Sequence, residues 1–212
     1  MMNIHEVKAM KKGLLLIISG PAGSGKGTVL SHMLAGRDDF AYSVSMTTRA
    51  PRPGEVDGVN YHFVSHEEFD RLVETDGLLE YTRYVGNGYG TPRAAAEAVL
   101  ASGRNLILEI EVDGAMQVKA KFPEAVAIML LPPSFAVQEA RLRGRGTETE
   151  EKIQKRLEQT RCELPLVGQY DYIVRNEDGG AEQAAADILA IVRAEQLKSA
   201  RDPDAAERYL AE

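Results

Sequence analysis

The run Leu14-Leu15-Leu16-Ile17-Ile18 has no alternating polar residue and breaks directly into Gly20-Pro21-Ala22-Gly23-Ser24-Gly25-Lys26-Gly27-Thr28. Five apolar residues in a row read as a strand buried on both faces, the habit of parallel sheets covered by helices. The glycines then let consecutive backbone N–H groups turn inward. The amphipathic segment beyond them, marked by Val29, Leu30, Met33 and Leu34, presents a positive helix N-terminus. Strand, glycine-rich loop, lysine and helix in that order make a phosphate-binding P-loop, with Lys26 bringing a mobile charge to the outer phosphates.

The rest of the chain continues the alternation such a loop requires. Asn105 to Ile110 and Ala125 to Leu131 read as buried parallel strands, and Tyr172 to Val174 as a shorter one. Gly114 to Lys121 and the alanine-rich segment from Ala181 to Ala200 supply covering helices, and Ser134 after Pro132-Pro133 caps another. Ala41 to Tyr89 breaks the pattern. There, short β-type runs (Tyr42 to Met46, Tyr61 to Val64, Leu78 to Val85) surround a helix that starts at Ser65, with Glu68 completing a capping box. The expected fold is α/β, a doubly wound parallel sheet core with an inserted small mixed α/β subdomain. No internal repeat or low-complexity segment interrupts it.

A chain of 212 residues with 44% hydrophobic content suffices for one sizeable core. Its formal net charge of −7 argues against a protein that coats nucleic acid, so phosphate binding must be local. The single cysteine, Cys162, excludes an internal disulfide and reads as a semi-buried apolar residue. Lys11-Lys12 imitates the start of a signal peptide, but the apolar run is too short and ends in the P-loop. No other stretch approaches the ~20 apolar residues of a membrane span. The expectation is a cytoplasmic protein with no membrane partner. Residues 1–12 read as an N-terminal extension and Met10 as an alternative start.

The insertion carries Ser45-Met46-Thr47-Thr48-Arg49-Ala50-Pro51-Arg52-Pro53-Gly54-Glu55, followed by Gly58-Val59-Asn60-Tyr61. Two arginines three residues apart, with Pro51 stiffening the backbone between them, can aim two guanidinium forks at one anion. The hydroxyls of Ser45, Thr47, Thr48, Tyr61 and Tyr89 fall in the same region, so a second phosphate site is implied. The acidic segment Leu108 to Asp113 closes a core strand, where a parallel sheet presents residues to ligand. Glu109 and Glu111 alternate onto one face there, and an acidic strand end serving nearby helix N-termini is the lesser alternative.

Arg141, Arg143 and Arg145 lie in Arg141-Leu142-Arg143-Gly144-Arg145-Gly146, ahead of a helix whose start is marked by Thr147 and Glu150 and which carries Arg156. Glycines flanking Arg145 make a hinge-capable turn that reads as a lid. His62 and His66 are four apart, but the helix start at Ser65 falls between them, so no shared metal face and no structural metal is expected.

The segments GPAGSGKGT, SMTTRAPRPGE with a downstream GVNYHF, GNGYGTP and LRGRGTETEE occur in order from about Leu14 to the end of the alanine-rich helix. Together they resemble the guanylate kinase family. The resemblance implies a P-loop nucleoside monophosphate kinase with a core (13–41, 92–133 and 163–212), an inserted GMP-binding region (42–91) and a mobile helical lid (134–162). It implies transfer of the γ-phosphoryl group of ATP to GMP, with dGMP as a related acceptor and Mg²⁺ arriving with ATP. Gly27 stands where a hydroxyl residue usually follows the lysine, so direct Mg²⁺ ligation by the loop is not implied.

Carried over by position, Gly20 to Thr28 hold the ATP phosphates, and Asn176 lies near the adenine, its contact partly through backbone. Arg141, Arg145 and Arg156 match the lid arginines, while Arg143 reads as surface charge. Ser45 and Glu80 match the residues that read guanine; Arg49, Arg52, Tyr61 and Tyr89 match those that hold the GMP phosphate, with Gly90 and Thr91 beside them. A carboxylate accepts from both N1–H and the 2-amino group of guanine, whereas adenine offers neither, and a site losing a required hydrogen bond rejects the wrong ligand by roughly 10⁴–10⁵. Outside the resemblance, Glu80 in Leu78-Leu79-Glu80-Tyr81 reads as the exposed face of a strand. Glu111 and Asp113 depart from the family's wording, which has Asp and then Gln at these places. Glu109 and Glu111 are assigned to the GMP base side or to water-mediated Mg²⁺ binding, and both assignments stay open.

Three other classes are weighed against this one. A switch GTPase needs an Asn-Lys-x-Asp segment, which the sequence does not contain. A guanylate-kinase-like scaffold domain has typically lost its loop and lid, whereas Lys26, Arg145 and Arg156 are present. A kinase of phosphorylated sugars has no need of guanine readers, and Ser45 and Glu80 count against it.

Overall fold

The computed structural model of the chain describes residues 12–146 and 148–211. In chain order it contains β1 (Leu15–Ser19), α1 (Lys26–Leu34), β2 (Phe40–Tyr42), β3 (Met46–Thr47), β4 (His62–Phe63), α2 (His66–Glu74), β5 (Leu78–Tyr84), β6 (Asn87–Pro92) and α3 (Arg93–Ala101). Beyond these come β7 (Asn105–Glu109), α4 (Val112–Lys121), β8 (Val126–Leu131), α5 (Phe135–Gly144), α6 (Glu150–Glu163), β9 (Tyr172–Arg175), α7 (Ala181–Gln196) and α8 (Ala205–Ala211).

The apolar run is the central strand of a five-stranded parallel sheet ordered β2-β7-β1-β8-β9. Its unbroken hydrophobicity follows from cover on both sides. Leu14, Leu16 and Ile18 pack with α1 and α7, while Leu15 and Ile17 join the second core cluster, which includes residues of α3 and α4. Alternate side chains of a strand point to opposite faces, so each face supplies one cluster. The P-loop leaves the carboxyl end of this strand, where open α/β sheets bind ligands.

A second, four-stranded sheet is ordered β4-β3-β6-β5, with β3–β4 parallel and the pairs of β6 antiparallel. Its small core is Met46, Phe69 and Leu78. The expected run Tyr42 to Met46 is not one strand: β2 pairs with β7 in the core sheet, and only Met46 and Thr47 enter the second sheet. Strand β6 and helix α3 stand outside the elements the sequence predicts, because a glycine-rich segment and an uncapped alanine-rich turn carry weak signals. Ser65 caps α2 as expected, its Oγ accepting from the Glu68 amide at 3.1 Å. The reciprocal half of the capping box is absent, since the Glu68 carboxylate pairs with Arg71 at 2.6 and 3.0 Å.

Ser134 caps α5 as read, accepting from the Val137 amide. Helix α4 starts two residues before Gly114, and α7 stops at Gln196 instead of Ala200. Cys162 is exposed on α6, not semi-buried, because it points away from the face carrying Ile153, Leu157 and Thr160. Thr147, expected to mark the start of α6, and most of the extension at 1–12, Met10 and Lys11 included, lie outside the described residues; α6 begins after Thr149. Among the described residues no helix is long and apolar enough to cross a membrane.

Candidate active site

Residues Pro21 to Thr28 wrap one open cleft with Glu109, Arg145 and Arg156 on its other walls. Gly25 adopts a left-handed φ of +86°, and a Cβ there would stand 2.3 Å from Asn176 Nδ2. Only glycine fits both conditions. Asn176 is buried and donates from Nδ2 to the Ser24 carbonyl at 2.8 Å, while its own amide donates to Leu131 O. It therefore braces the back of the loop. Ser24 Oγ is buried and has no hydrogen-bond partner among the described residues.

Lys26 Nζ lies over the loop and donates to Gly20 O at 2.5 Å. Burial pushes this ammonium below its ordinary value, while the charges of Glu109, Glu111 and Glu163 oppose the shift. Phosphate oxygens entering the cleft would replace that single carbonyl. The expected alternation of Glu109 and Glu111 along a strand fails, since β7 ends at Glu109 and Glu111 is the residue before α4. Both still act electrostatically on Lys26, but only Glu109 lines the cleft. Tyr42 OH donates to Glu109 Oε2, and burial with this bond raises the phenol well above its usual range.

The arginines divide into three groups. Arg141 packs behind the loop, donating to Asn176 O at 2.9 Å and to Asp178 Oδ1 at 2.7 Å. Arg145 and Arg156 line the cleft, and Arg156 Nε pairs with Glu148 at 2.9 Å. Arg143 points outward and pairs with Glu139 and Glu150. Buried Gln138 of α5 ties these pieces together, donating from Nε2 to Ala22 O in the loop at 3.0 Å and to Thr160 Oγ1 on α6 at 2.8 Å. Sequence reading gave no sign of Gln138, which looks like any surface glutamine of an amphipathic helix.

In the second sheet Glu80 is 6% exposed, not on the open strand face. Thr91 Oγ1 donates to Glu80 Oε1 at 2.7 Å. Desolvation raises the carboxyl above its ordinary value, with the Thr91 bond and the charge of Lys121 opposing. Ser45 precedes β3 and is half-buried, its carbonyl accepting from the His62 amide. Arg49 is held in a fork by Glu55, with both terminal nitrogens at 2.9 Å, and its guanidinium lies 5.5 Å from the Tyr61 ring centre. Tyr61 and Tyr89 meet edge to face at 6.2 Å. Arg52 is exposed, and its amide donates to the same Glu55. Gly90 is buried beside Thr91 on β6. Glu55, quoted in the motif without a role, is the residue that organises this cluster. Among the described residues no cluster of His, Cys, Asp and Glu is placed to hold a metal by itself.

A parallel sheet whose central strand feeds a P-loop, with arginines across the cleft, defines a P-loop kinase. The guanylate kinase family model matches residues 12–195. A guanylate kinase of Halalkalibacterium halodurans is 51% identical over 90% of this chain and 93% of its own length, and one of Thermus thermophilus is 51% identical over 94% and 89%. The solved guanylate kinase of Anaplasma phagocytophilum superposes with a TM-score of 0.69 at 34% identity, covering 90% of each chain. The chain belongs to the guanylate kinase family.

Proposed function

We propose that the protein transfers the γ-phosphoryl group of ATP to GMP, giving ADP and GDP, within purine nucleotide metabolism. The buried Glu80 carboxylate carries this reading. It is an acceptor desolvated in a sheet that also presents Arg49, and the partner that best repays its burial is a base edge with two adjacent N–H donors. Residues 42–91 are then the acceptor-binding subdomain, 134–162 the lid, and the remainder the core. The setting is the cytoplasm.

The residues divide the work as follows. The backbone N–H groups of the loop 20–28, Pro21 excepted, and Lys26 hold the ATP phosphates, with Asn176 and Arg141 bracing the loop. Ser45 and Glu80 read guanine; Arg49, Arg52, Tyr61 and Tyr89 hold the GMP phosphate, with Gly90 and Thr91 shaping the pocket. A GMP phosphate oxygen bonds to the γ-phosphorus as the bond to the β–γ bridging oxygen breaks, and the electron pair leaves with ADP. Positive groups supply most of the acceleration in such transfers. Arg145 and Arg156 line the same cleft as the loop and meet the equatorial oxygens when the lid closes.

The donor set fits Mg²⁺ as a hard cation bound chiefly by phosphate oxygens and water, since Glu109 brings carboxylate oxygens to the cleft wall and Glu111 lies close by. When bound, Mg²⁺ neutralises charge on the β- and γ-phosphates. Coupled measurement of ADP formation from ATP with GMP, dGMP, AMP, CMP and UMP tests the reading. Selective turnover of the guanine nucleotides is expected; comparable turnover of AMP overturns it.

A further inference from the structure

Strand β5 is the outer strand of its sheet, so backbone groups on its free side have no strand to pair with. It is also irregular: Leu78 pairs with Pro92 and the next pair is Tyr81 with Gly90, which leaves one extra residue on β5. A bulge of this kind re-aims a side chain. Here the displaced stretch contains Glu80.

Helix α4 of the core supplies what the free side lacks. Gln117 Oε1 accepts from the Tyr81 amide at 3.1 Å, and Gln117 Nε2 donates to the Tyr81 carbonyl at 3.0 Å. One side-chain amide thus satisfies both backbone groups of the residue next to Glu80. A turn earlier on the same helix face, Gly114 lies so near that a Cβ would stand 3.0 Å from Glu80 Oε2. A turn later, Lys121 Nζ donates to Leu78 O at 3.2 Å and pairs with Asp76 at 2.7 Å. The helix itself is fixed, because Val112, Ala115 and Val118 belong to the core.

We propose that Gln117 is a positioning residue for the base-reading carboxylate, fixing the bulge so that Glu80 faces a purine carrying a 2-amino group. The proposal rests on Glu80 reading the base. Lys121 secures the start of β5, but Gln117 alone grips the backbone beside Glu80 from α4. A mere tether between core and insertion would affect stability and both substrates alike; a positioning residue affects the purine acceptor and its 2-amino group in particular.

Steady-state kinetics of Gln117→Met with GMP and IMP, whose base lacks the 2-amino group, at saturating ATP, together with thermal melts, test this. The expected result is a rise of about tenfold in KM for GMP, the size of one weakened hydrogen bond to a charged group. The kcat and the KM for ATP stay within twofold, and the preference for GMP over IMP narrows. Gly114→Ala, which crowds Glu80 from the same helix, narrows the same preference. If Gln117→Met does not fold, Gln117→Glu, which keeps the acceptor for the Tyr81 amide and loses the donor, decides by the same ratio. An unchanged ratio in a folded variant, or equal losses toward ATP and GMP, overturns the proposal. Glu80→Gln run alongside separates the two ideas: if it abolishes the GMP preference while the Gln117 variants keep it, positioning fails and base reading stands. If Glu80→Gln keeps it too, base reading itself fails.

Discussion

Arg49 offers both terminal nitrogens to Glu55 at 2.9 Å, and the same carboxylate accepts the Arg52 amide at 2.7 Å. One acidic residue thereby fixes the rotamer of one arginine and the backbone of the next, with the Tyr61 ring against the guanidinium. An arginine fork preorganised in this way loses less entropy when it meets phosphate.

Glu55→Ala frees Arg49 without removing it. KM for GMP is expected to rise about tenfold, as for the loss of one charge-assisted hydrogen bond, with kcat nearly unchanged. Arg49 also holds the Glu55 carboxyl below its ordinary value, so the pairing contributes above the normal carboxylate range and fades as pH falls through the lowered value. The KM effect of the mutation should accordingly shrink at low pH. Steady-state titration with GMP between neutral and acid pH checks both points, and an unchanged KM at neutral pH removes Glu55 from the phosphate site.

Lys26→Ala removes the charge that lies over the loop. Because the Lys26 ammonium is itself desolvated and otherwise rests on one carbonyl, the partner expected to bind it most strongly is the donor phosphate in the transition state. A fall in kcat of about 10²–10³-fold is expected, the scale of losing one preorganised electrostatic group. GMP binding measured by calorimetry should hold. A kcat within threefold of the parent contradicts the loop's assignment.

The core could be read from the chain because its strands are buried on both faces and therefore unbroken in hydrophobicity, as at Leu14 to Ile18 and Ala125 to Leu131. The second sheet was harder. Strand β6 is written Asn87-Gly88-Tyr89-Gly90-Thr91-Pro92, in turn-forming residues, since Gly88 must clear Phe69 and Gly90 must clear the Glu80 carbonyl. The P-loop was legible residue by residue, yet its braces were not: Gln138 and Asn176 reach it from far along the chain, and no local pattern announces such contacts. Glu80 looked exposed for the same reason, because Thr91 on β6 and Gly114 on α4 cover it.

Tyr42→Phe removes the phenol that donates to Glu109 Oε2 and leaves the ring. A freed Glu109 carboxylate turns toward Lys26 and the phosphates, so the concentration of Mg²⁺ giving half-maximal rate should shift by roughly threefold to tenfold, in keeping with one hydrogen bond of modest net worth. KM for GMP measured at saturating Mg²⁺ stays fixed. An unchanged Mg²⁺ dependence would detach Glu109 from cation binding and leave the base side as its role.

Arg145→Ala and Arg143→Ala test the closing role proposed for Arg145 against its neighbour. Arg145 lines the cleft, whereas Arg143 is spent on Glu139 and Glu150. The first is expected to lower kcat by about 10³-fold, the lower end of the range for an arginine stabilising a transferring phosphoryl group; the second should change it less than twofold. Single-turnover rates at saturating substrates check this, and similar effects of the two would place the lid's chemistry elsewhere.

Glu80→Gln probes stability and specificity at once. Desolvation raises this carboxyl in the folded chain, so the folded state binds the proton more tightly than the unfolded one. Stability therefore falls as pH rises from the ordinary carboxylate range through the raised value, and the cost is complete above it. The ligand-free variant, uncharged throughout, is expected to melt above the parent at pH 7 and to lose that advantage below about pH 4, where the unfolded carboxyl also takes up its proton. Function moves the opposite way. Glutamine turns one acceptor into a donor facing the N–H groups of guanine, and kcat/KM for GMP should fall by about 2–4 kcal/mol in transition-state binding. ATP affinity, which the proposed function assigns to the P-loop at the end of the core sheet, should hardly change. A variant that melts higher at pH 7 yet keeps the parent's GMP kinetics would mean that the carboxylate is buried at a cost to folding without reading the base.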